Sequence, residues 1–452
     1  MQSQPSRRAV IKTTVSATAA VGLGAFLLSP TPSTRRRHNR KQVRFWHLLS
    51  GQWQPPTETL VEQFNDSQTQ YEVVPLLVPD TSADSKFLLS VAGGYPPDVM
   101  LHWTQAMSTW AEGGILQPLD SFMTPEERKN FLTDSYPVIA KSGWYKNRLY
   151  GMTVGFDLWV IFYRVDHFRE AGIDPDPAKF PKTLEGVVEL GKQLDRFDST
   201  GEPKRLGYLP QSLVNLVPSF GGWFFDEHAK EPNVYNPATL GALEFMVKER
   251  KRLGFDKVIK FVSGLPSSAG TDMPFIGGAY SMMVDGEWRV EHLRKYAPQL
   301  EYQTVFIPAP KGGRERASFS STNFITIPKG AQEPDGAWEF IRFWMGLKDL
   351  VGSAKYYPPF GWMPRGPEAT KASEYQAFLR QAPQYRTFLE LAKSSAIEIT
   401  PSVTYQLYLM DRILRADDLA NRGSLTPEQA LRNLEADLRN ERARRKELGY
   451  AE

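Results

Sequence analysis

The 452-residue chain contains no cysteine. That absence excludes disulfides, iron–sulfur clusters, cysteine-ligated zinc and a thiol nucleophile, and with them a lipid anchor attached through an N-terminal cysteine. Histidine is scarce, six residues scattered as His38, His47, His102, His167, His228 and His292, and no His-Glu-x-x-His pair stands at metal-ligand spacing. A Walker A loop, a Gly-x-Ser-x-Gly elbow and a Gly-x-Gly-x-x-Gly turn after a strand are missing too, and with them the local signatures of phosphate cradles, α/β hydrolases and dinucleotide sites. The apolar run at residues 15–28 falls short of the roughly 20 residues that cross a bilayer comfortably.

Positive charge is also lacking where the folded body lies. The formal net charge is +3, but residues 1–41 hold eight Lys or Arg and no Asp or Glu, so the remainder carries 46 basic against 51 acidic side chains, a net of −5. A mildly acidic body does not fit a general nucleic-acid binder, which concentrates positive charge on its working face. What is present is an ordinary soluble composition: 41% hydrophobic and 23% charged residues, with a mean hydropathy of −0.40. The length is enough to bury two cores. Aromatic residues reach 12%, with 11 Trp, and flat apolar rings serve as core or as platforms for a ligand.

At the N-terminus, Ser6-Arg7-Arg8-Ala9-Val10-Ile11-Lys12 precedes the apolar run and resembles a twin-arginine export signal. No Ala-x-Ala cleavage site is clear, and Arg35-Arg36-Arg37-His38-Asn39-Arg40-Lys41 follows, which leaves an uncleaved anchor open. Beyond it, strand and helix signals alternate. Residues 43–47, 71–78, 98–101, 160–163, 279–284 and 324–327 read as strands; 184–194, 240–253, 337–345 and 429–438 carry helical spacing, and Pro55-Pro56 opens a helix with Leu60 and Phe64 one turn apart. Such alternation predicts mostly parallel sheets covered by helices, with ligands bound beyond the carboxyl ends of strands. No repeat and no low-complexity linker divides the body.

Several fragments in order carry a family resemblance: Gly93-Gly94-Tyr95-Pro96-Pro97-Asp98-Val99, Leu116-Gln117-Pro118-Leu119-Asp120, Phe162-Tyr163-Arg164-Val165-Asp166, Pro181-Lys182-Thr183-Leu184-Glu185, Met282-Met283-Val284-Asp285-Gly286-Glu287-Trp288 and Ile327-Pro328-Lys329-Gly330. Together they resemble the family 1 extracellular solute-binding proteins, the maltose-binding-like sugar receptors of ABC importers. The resemblance implies an α/β fold of two Rossmann-like lobes with a ligand cleft between them, of the type II periplasmic binding kind. It places lobe I at 42–154 plus 321–365 and lobe II at 155–320 plus 366–452, with crossovers near Gly155 and Ser320, after an export segment at 1–41. Closing the lobes on a ligand is a hinge motion.

The same resemblance implies the site. A sugar offers hydroxyls at its edge and C–H patches on its faces, so carboxylates or amides pair with aromatic rings. Asp157 falls where the family places its sugar-binding carboxylate, and Trp159 shares the strand. Trp288 matches the indole that stacks on sugar, with Asp285 as a hydroxyl acceptor and Glu287 beside it. Ser50, Gln52, Trp103 and Gln105 follow the first and third strands of lobe I, close to Trp53 and His102. Trp223 sits beside Gly221 and Gly222; Asn323 lies at the second crossover with Ser320, Ser321 and Thr322, where this sequence departs from the family's glycines. Trp362 and Arg365 belong to a late Pro-Arg segment. No catalytic residue, metal or cofactor is expected. The expected partners are a carbohydrate, the permease subunits of an ABC importer and the twin-arginine export machinery, with the receptor acting as a monomer and binding no nucleic acid. Two other readings use the same residues: a secreted glycosidase or lyase, and a receptor for a glycerol phosphate-type ligand, for which Arg289 and Arg365 are the available cations.

Overall fold

The computed structural model describes residues 39–103, 106–266 and 270–450. The export motif of residues 6–12 and Gln105 lie outside the described residues. Alternating burial of Val43, Phe45 and His47 forms strand β1 (Lys41–His47), which pairs in parallel with β2 (Tyr71–Leu77) and β3 (Val99–Trp103). Between β1 and β2, the helix Gln54–Ser67 begins at the prolines and buries Leu60, Val61 and Phe64. Next come β4 (Leu116–Gln117), a hairpin of β5 (Trp144–Tyr145) and β6 (Arg148–Leu149), and β7 (Met152–Phe156).

Two residues later the chain is in a second sheet. Its first strand is β8 (Trp159–Arg164), followed by β9 (Arg196–Phe197), β10 (Pro203–Tyr208), a small hairpin of β11 (Phe225–Asp226) and β12 (Glu231–Pro232), then β13 (Tyr280–Gly286) and β14 (Tyr302–Val305). The order across this sheet is β14-β8-β13-β10-β9. Then β15 (Ser318–Ser320) is separated by Ser321 alone from β16 (Thr322–Pro328), which enters the first sheet. There the order is β2-β1-β3-β16-β4, with β7 also on β16, while β15 pairs with the late strand β17 (Ile397–Ile399).

Both sheets are mixed rather than mostly parallel. The pairs β1–β2, β1–β3 and β10–β13 are parallel, whereas β16 runs antiparallel to β3, β4 and β7, and β8 antiparallel to β13 and β14. Helix-linked crossovers force parallel strands. A strand that arrives from the other sheet through one or two residues is free of that constraint.

Local chemistry sets the helix ends. The helix Leu184–Leu194 starts where Thr183 accepts a hydrogen bond from the Gly186 N–H, and it buries Leu184, Val187, Val188, Leu190 and Leu194. It lies so close to β10 that a Cβ on Gly207 would stand 1.9 Å from the Gly191 carbonyl oxygen. Behind the first sheet, Phe45, Phe340, Trp344, Phe360 and Trp362 form a continuous aromatic core, with ring centroids 4.7 Å apart for Phe360 and Trp362. Among the described residues no helix is long and apolar enough to cross a membrane.

Gly207→Ala has to push the helix off the sheet. The expected loss is about 1–3 kcal/mol of stability in urea denaturation, the range for overpacking; unchanged stability would show that the helix rides freely over β10.

Candidate functional site

Two chain crossings lie side by side. Asp157, between β7 and β8, donates its N–H to the Ser321 carbonyl at 2.9 Å, and the Ser321 hydroxyl returns a 2.6 Å hydrogen bond to Asp157 Oδ2. The carboxyl of Glu287 acts on that of Asp157 electrostatically. Glu287 is fully buried, and its Oε2 accepts the Leu158 N–H at 3.0 Å. Burial pushes Asp157 up to about 7, against the Ser321 hydrogen bond that favours the ionised form. Burial first, and then the charge of Asp157, pushes Glu287 well above the usual carboxylate range.

Asp157 therefore stands at a crossing with its carboxyl engaged by the neighbouring crossing. Next to Glu287, Trp288 opens the helix Trp288–Tyr296 and meets Trp159 edge-on at 5.2 Å. Its ring lies over Gly286, where a Cβ would stand 1.9 Å from it. Both indoles are half-buried, and Trp159 Nε1 is buried with no partner.

Three of the expected contact residues have protein partners of their own. Asp285 does not present a free acceptor: Oδ2 takes the Arg289 Nε–H at 2.7 Å and Oδ1 the Gly286 N–H at 2.8 Å. Arg289, one helical turn on, claims it first. Arg365 is 2% exposed, and its guanidinium donates to the Met345, Asn130 and Gly346 carbonyls and to Ser135 Oγ. It ties loops together. Trp362, also 2% exposed, belongs to the aromatic core and packs on Gly155, whose Cβ would stand 2.8 Å from the indole. These two lie deep because the 358–365 segment folds under the first sheet, not over its edge.

The remaining groups fall in two places. Ser50 is exposed and Gln52 half-buried in the turn after β1, where Trp53 donates Nε1–H to the Phe360 carbonyl at 3.1 Å. Trp103 ends β3 in register with Asn323 of β16, and Asn323 Oδ1 is buried without a partner. His102 faces Asp84 at 2.6 Å and packs on Trp110. Trp223 lies elsewhere: it stacks on Phe319 at 5.6 Å and lines a cavity of about 530 Å³.

Most of that cavity's lining was not anticipated. It is lined by Trp144, Tyr145 and Asn147 of the β5–β6 hairpin, by Trp223 and Phe225, and by Thr400, Ser402 and Thr404 after β17. Trp144-Tyr145-Lys146-Asn147-Arg148-Leu149 carried a readable signal, a two-residue hairpin turn with positive φ at Lys146 and Asn147. Thr400 and Thr404 had none. Both are 1% exposed, with hydroxyls that have no protein partner among the described residues. Thr109 Oγ1 donates to the Thr404 carbonyl at 3.2 Å and Gln406 Oε1 accepts the Ser108 N–H at 3.2 Å, so the helix Met107–Glu112 is laced to this segment. The cations around the cavity are committed: Lys146 to Glu112 at 2.7 Å, Lys230 to Glu227 at 3.0 Å and Lys141 to the Ile397 carbonyl, while Glu398 is held by Arg314 at 2.7 Å. Among the described residues no cluster of three His, Asp or Glu groups is arranged to hold a metal.

With this geometry in place, comparison with known proteins decides the family. Residues 50–347 match the family described as bacterial extracellular solute-binding protein. The chain belongs to that family. Among curated members of these extracellular solute-binding proteins, a maltotriose-binding protein of Pyrococcus abyssi is 19% identical over 336 residues, 72% of this chain and 68% of that protein. An arabinooligosaccharide-binding protein of Bacillus subtilis is 23% identical over 377 residues, 79% and 82% of the two chains. In three dimensions the solute-binding protein resembles a solved structure described as CpMnBP1 with mannotriose bound, at a TM-score of 0.77 and 25% identity, covering 88% of this chain and all of the other.

The buried Asp285–Arg289 pair yields a stability test. Arg289→Met strands a buried carboxylate and is expected to cost about 3–5 kcal/mol. The double variant Asp285→Asn with Arg289→Met should recover a good part of that loss in urea denaturation; equal losses would mean the charges are not coupled.

Proposed function

We infer that this solute-binding protein captures an uncharged oligosaccharide between its lobes and hands it, unaltered, to the permease of an ABC importer. The observation that carries this reading is the 530 Å³ cavity walled by Trp144, Tyr145, Trp223 and Phe225, within the roughly 300–1,000 Å³ range of small-molecule sites. Indole, phenol and phenyl faces cover the C–H patches of sugar rings, and the unpartnered hydroxyls of Thr400 and Thr404, with Asn147 and Ser402, supply hydrogen bonds to hydroxyl groups. The relatives named for maltotriose, arabino-oligosaccharides and mannotriose support the ligand class.

Charge bookkeeping favours a neutral ligand over a glycerol phosphate. A phosphate wants unpaired cations or helix N-termini; here Lys146 and Lys230 are neutralised by carboxylates and Lys141 by a carbonyl. Arg289 and Arg365 are likewise spent on Asp285 and on backbone oxygens. An enzyme reading finds less support, because the carboxyls of Asp157 and Glu287 are each engaged at the crossings, by the Ser321 hydroxyl and the Leu158 N–H. On this reading the bodies that close are 42–154 with 321–365 and 155–320 with 366–452, and the Ser6-Arg7-Arg8 motif exports the chain through the twin-arginine route as a monomer.

Titration calorimetry with mannotriose, maltotriose and arabino-oligosaccharides, with sn-glycerol 3-phosphate as the charged control, tests the reading. Saturable binding of one neutral sugar without chromatographic products is expected; turnover, or preference for the phosphate, overturns it. Trp223→Ala should weaken the best sugar at least about tenfold, the 1.4 kcal/mol of one stacked ring. Trp362→Ala should instead cost about 3–5 kcal/mol of unliganded stability, as a core deletion does.

A further inference from the structure

One end of the first sheet holds large apolar side chains in water. The helix Asp80–Ala92 leads from β2 to β3, and Leu88 and Leu89 near its end are 39% and 72% exposed. Gly94 then takes a left-handed φ of 77°, and the Tyr95 N–H donates to the Ser90 carbonyl at 2.9 Å, a helix end of the Schellman kind. That turn brings Tyr95 back toward the last turn of the helix, yet Tyr95 stays 75% exposed. Isolated exposed apolar residues are ordinary. Three of them at one helix end form a patch that the described residues leave uncovered.

The position of the patch narrows what covers it. The Asp98 N–H donates to the Arg44 carbonyl at 2.9 Å and Phe45 stands opposite Val99, so Tyr95 lies at the end of the sheet where the chain enters β1 at Lys41. The crossings are at the other end, because Trp103 closes β3 opposite Asn323, just past Ser321. Arg44 and Lys41 are spent on Asp98 and Glu333, each at 3.1 Å. The sequence ahead of them is unbalanced: Arg35, Arg36, Arg37 and Arg40 follow the apolar run at 15–28, with no Asp or Glu anywhere in residues 1–41.

That run is shorter than a comfortable membrane span. A short apolar segment holds firmly at an anionic bilayer only when basic residues and further apolar contact add to it. We propose that Leu88, Leu89 and Tyr95 rest on a lipid surface, the outer face of the membrane across which the chain is exported, while the arginines at 35–40 meet anionic headgroups. Tyrosine suits such a seat, with its ring among apolar groups and its hydroxyl toward water. The seat lies at the end of the first sheet remote from the crossings, so they stay clear of lipid. This rests on the export reading of the N-terminal motif and not on which ligand the receptor takes.

The chain has no cysteine of its own, so a polarity-sensitive thiol dye can be placed on the full chain at Leu89→Cys, at Tyr95→Cys or, as a control on the helix Pro237–Leu253, at Lys248→Cys, all exposed positions. On vesicles of phosphatidylglycerol and phosphatidylethanolamine in equal parts, the dyes at 89 and 95 should shift to the blue and lose at least about half their intensity to nitroxide-bearing lipid, and the dye at 248 should do neither. Leu89→Ser combined with Tyr95→Ser should weaken partition into these vesicles about tenfold. Its melting curve should not change, because neither side chain is in a core. Dyes at 89 and 95 that behave like the one at 248, or a double variant that partitions like the wild type, overturn the proposal. Recovery of the exported protein in soluble form without residues 15–28 overturns it as well. Each of these failures leaves ligand capture in solution untouched, and failure to bind any sugar overturns the receptor reading without moving the dyes.

Discussion

The organising constraint of the molecule is that two polypeptide crossings between sheets run edge to edge, bonded Asp157 N–H to Ser321 carbonyl and Ser321 hydroxyl to Asp157 carboxylate. Because β16 enters the first sheet immediately after Ser321, it can lie between β3 and β7 and hold both, which neither a long loop nor a helical connection would fix as tightly. Paired short crossings also limit what the two sheets can do relative to each other. Rotation about the crossings is inexpensive, whereas sliding breaks strand pairing, so opening and closing is the motion this connectivity permits.

Polar chemistry is divided unequally around that constraint. The carboxylates nearest the crossings are consumed by the protein itself: Asp157 by Ser321, Asp285 by Arg289 and the Gly286 N–H. Among the described residues, the buried groups left without a protein partner include the hydroxyls of Thr400 and Thr404 and the amide oxygen of Asn323. A buried polar group with no partner costs free energy unless something satisfies it. Receptors that release their cargo have reason to keep such groups for the ligand, since the hydrogen bonds made on closing are then a gain of the bound state alone.

Much of the architecture is written locally. The helix at 184–194, its Thr183 cap, the helix opened by Pro55-Pro56 and the strands around residues 43–47, 160–163 and 324–327 all follow from spacing and end chemistry within a dozen residues. Sheet direction does not, because strand–helix alternation is silent about strands that arrive from the other sheet. Around the cavity, Trp223 had been named from motif resemblance, whereas Trp144, Tyr145, Thr400 and Thr404 had not been singled out, and Thr400 and Thr404 carried no pattern at all.

By itself the sequence determined the class of protein, the alternation of strands and helices, the missing thiol chemistry, and the ordered motifs of an extracellular solute-binding family. Only the tertiary structure decided which polar side chains remain free. Arg365 reads as a candidate cation until Asn130, Ser135 and the Met345 carbonyl surround it, and the structure adds the Ser321 hydroxyl as a partner of Asp157 that no spacing announces. The physical reason is range. Periodicity, caps and turns act over one or two turns of chain, whereas the commitment of a charged group is settled by partners that can lie 129 or 235 residues away, and those meet only when both sheets are in place.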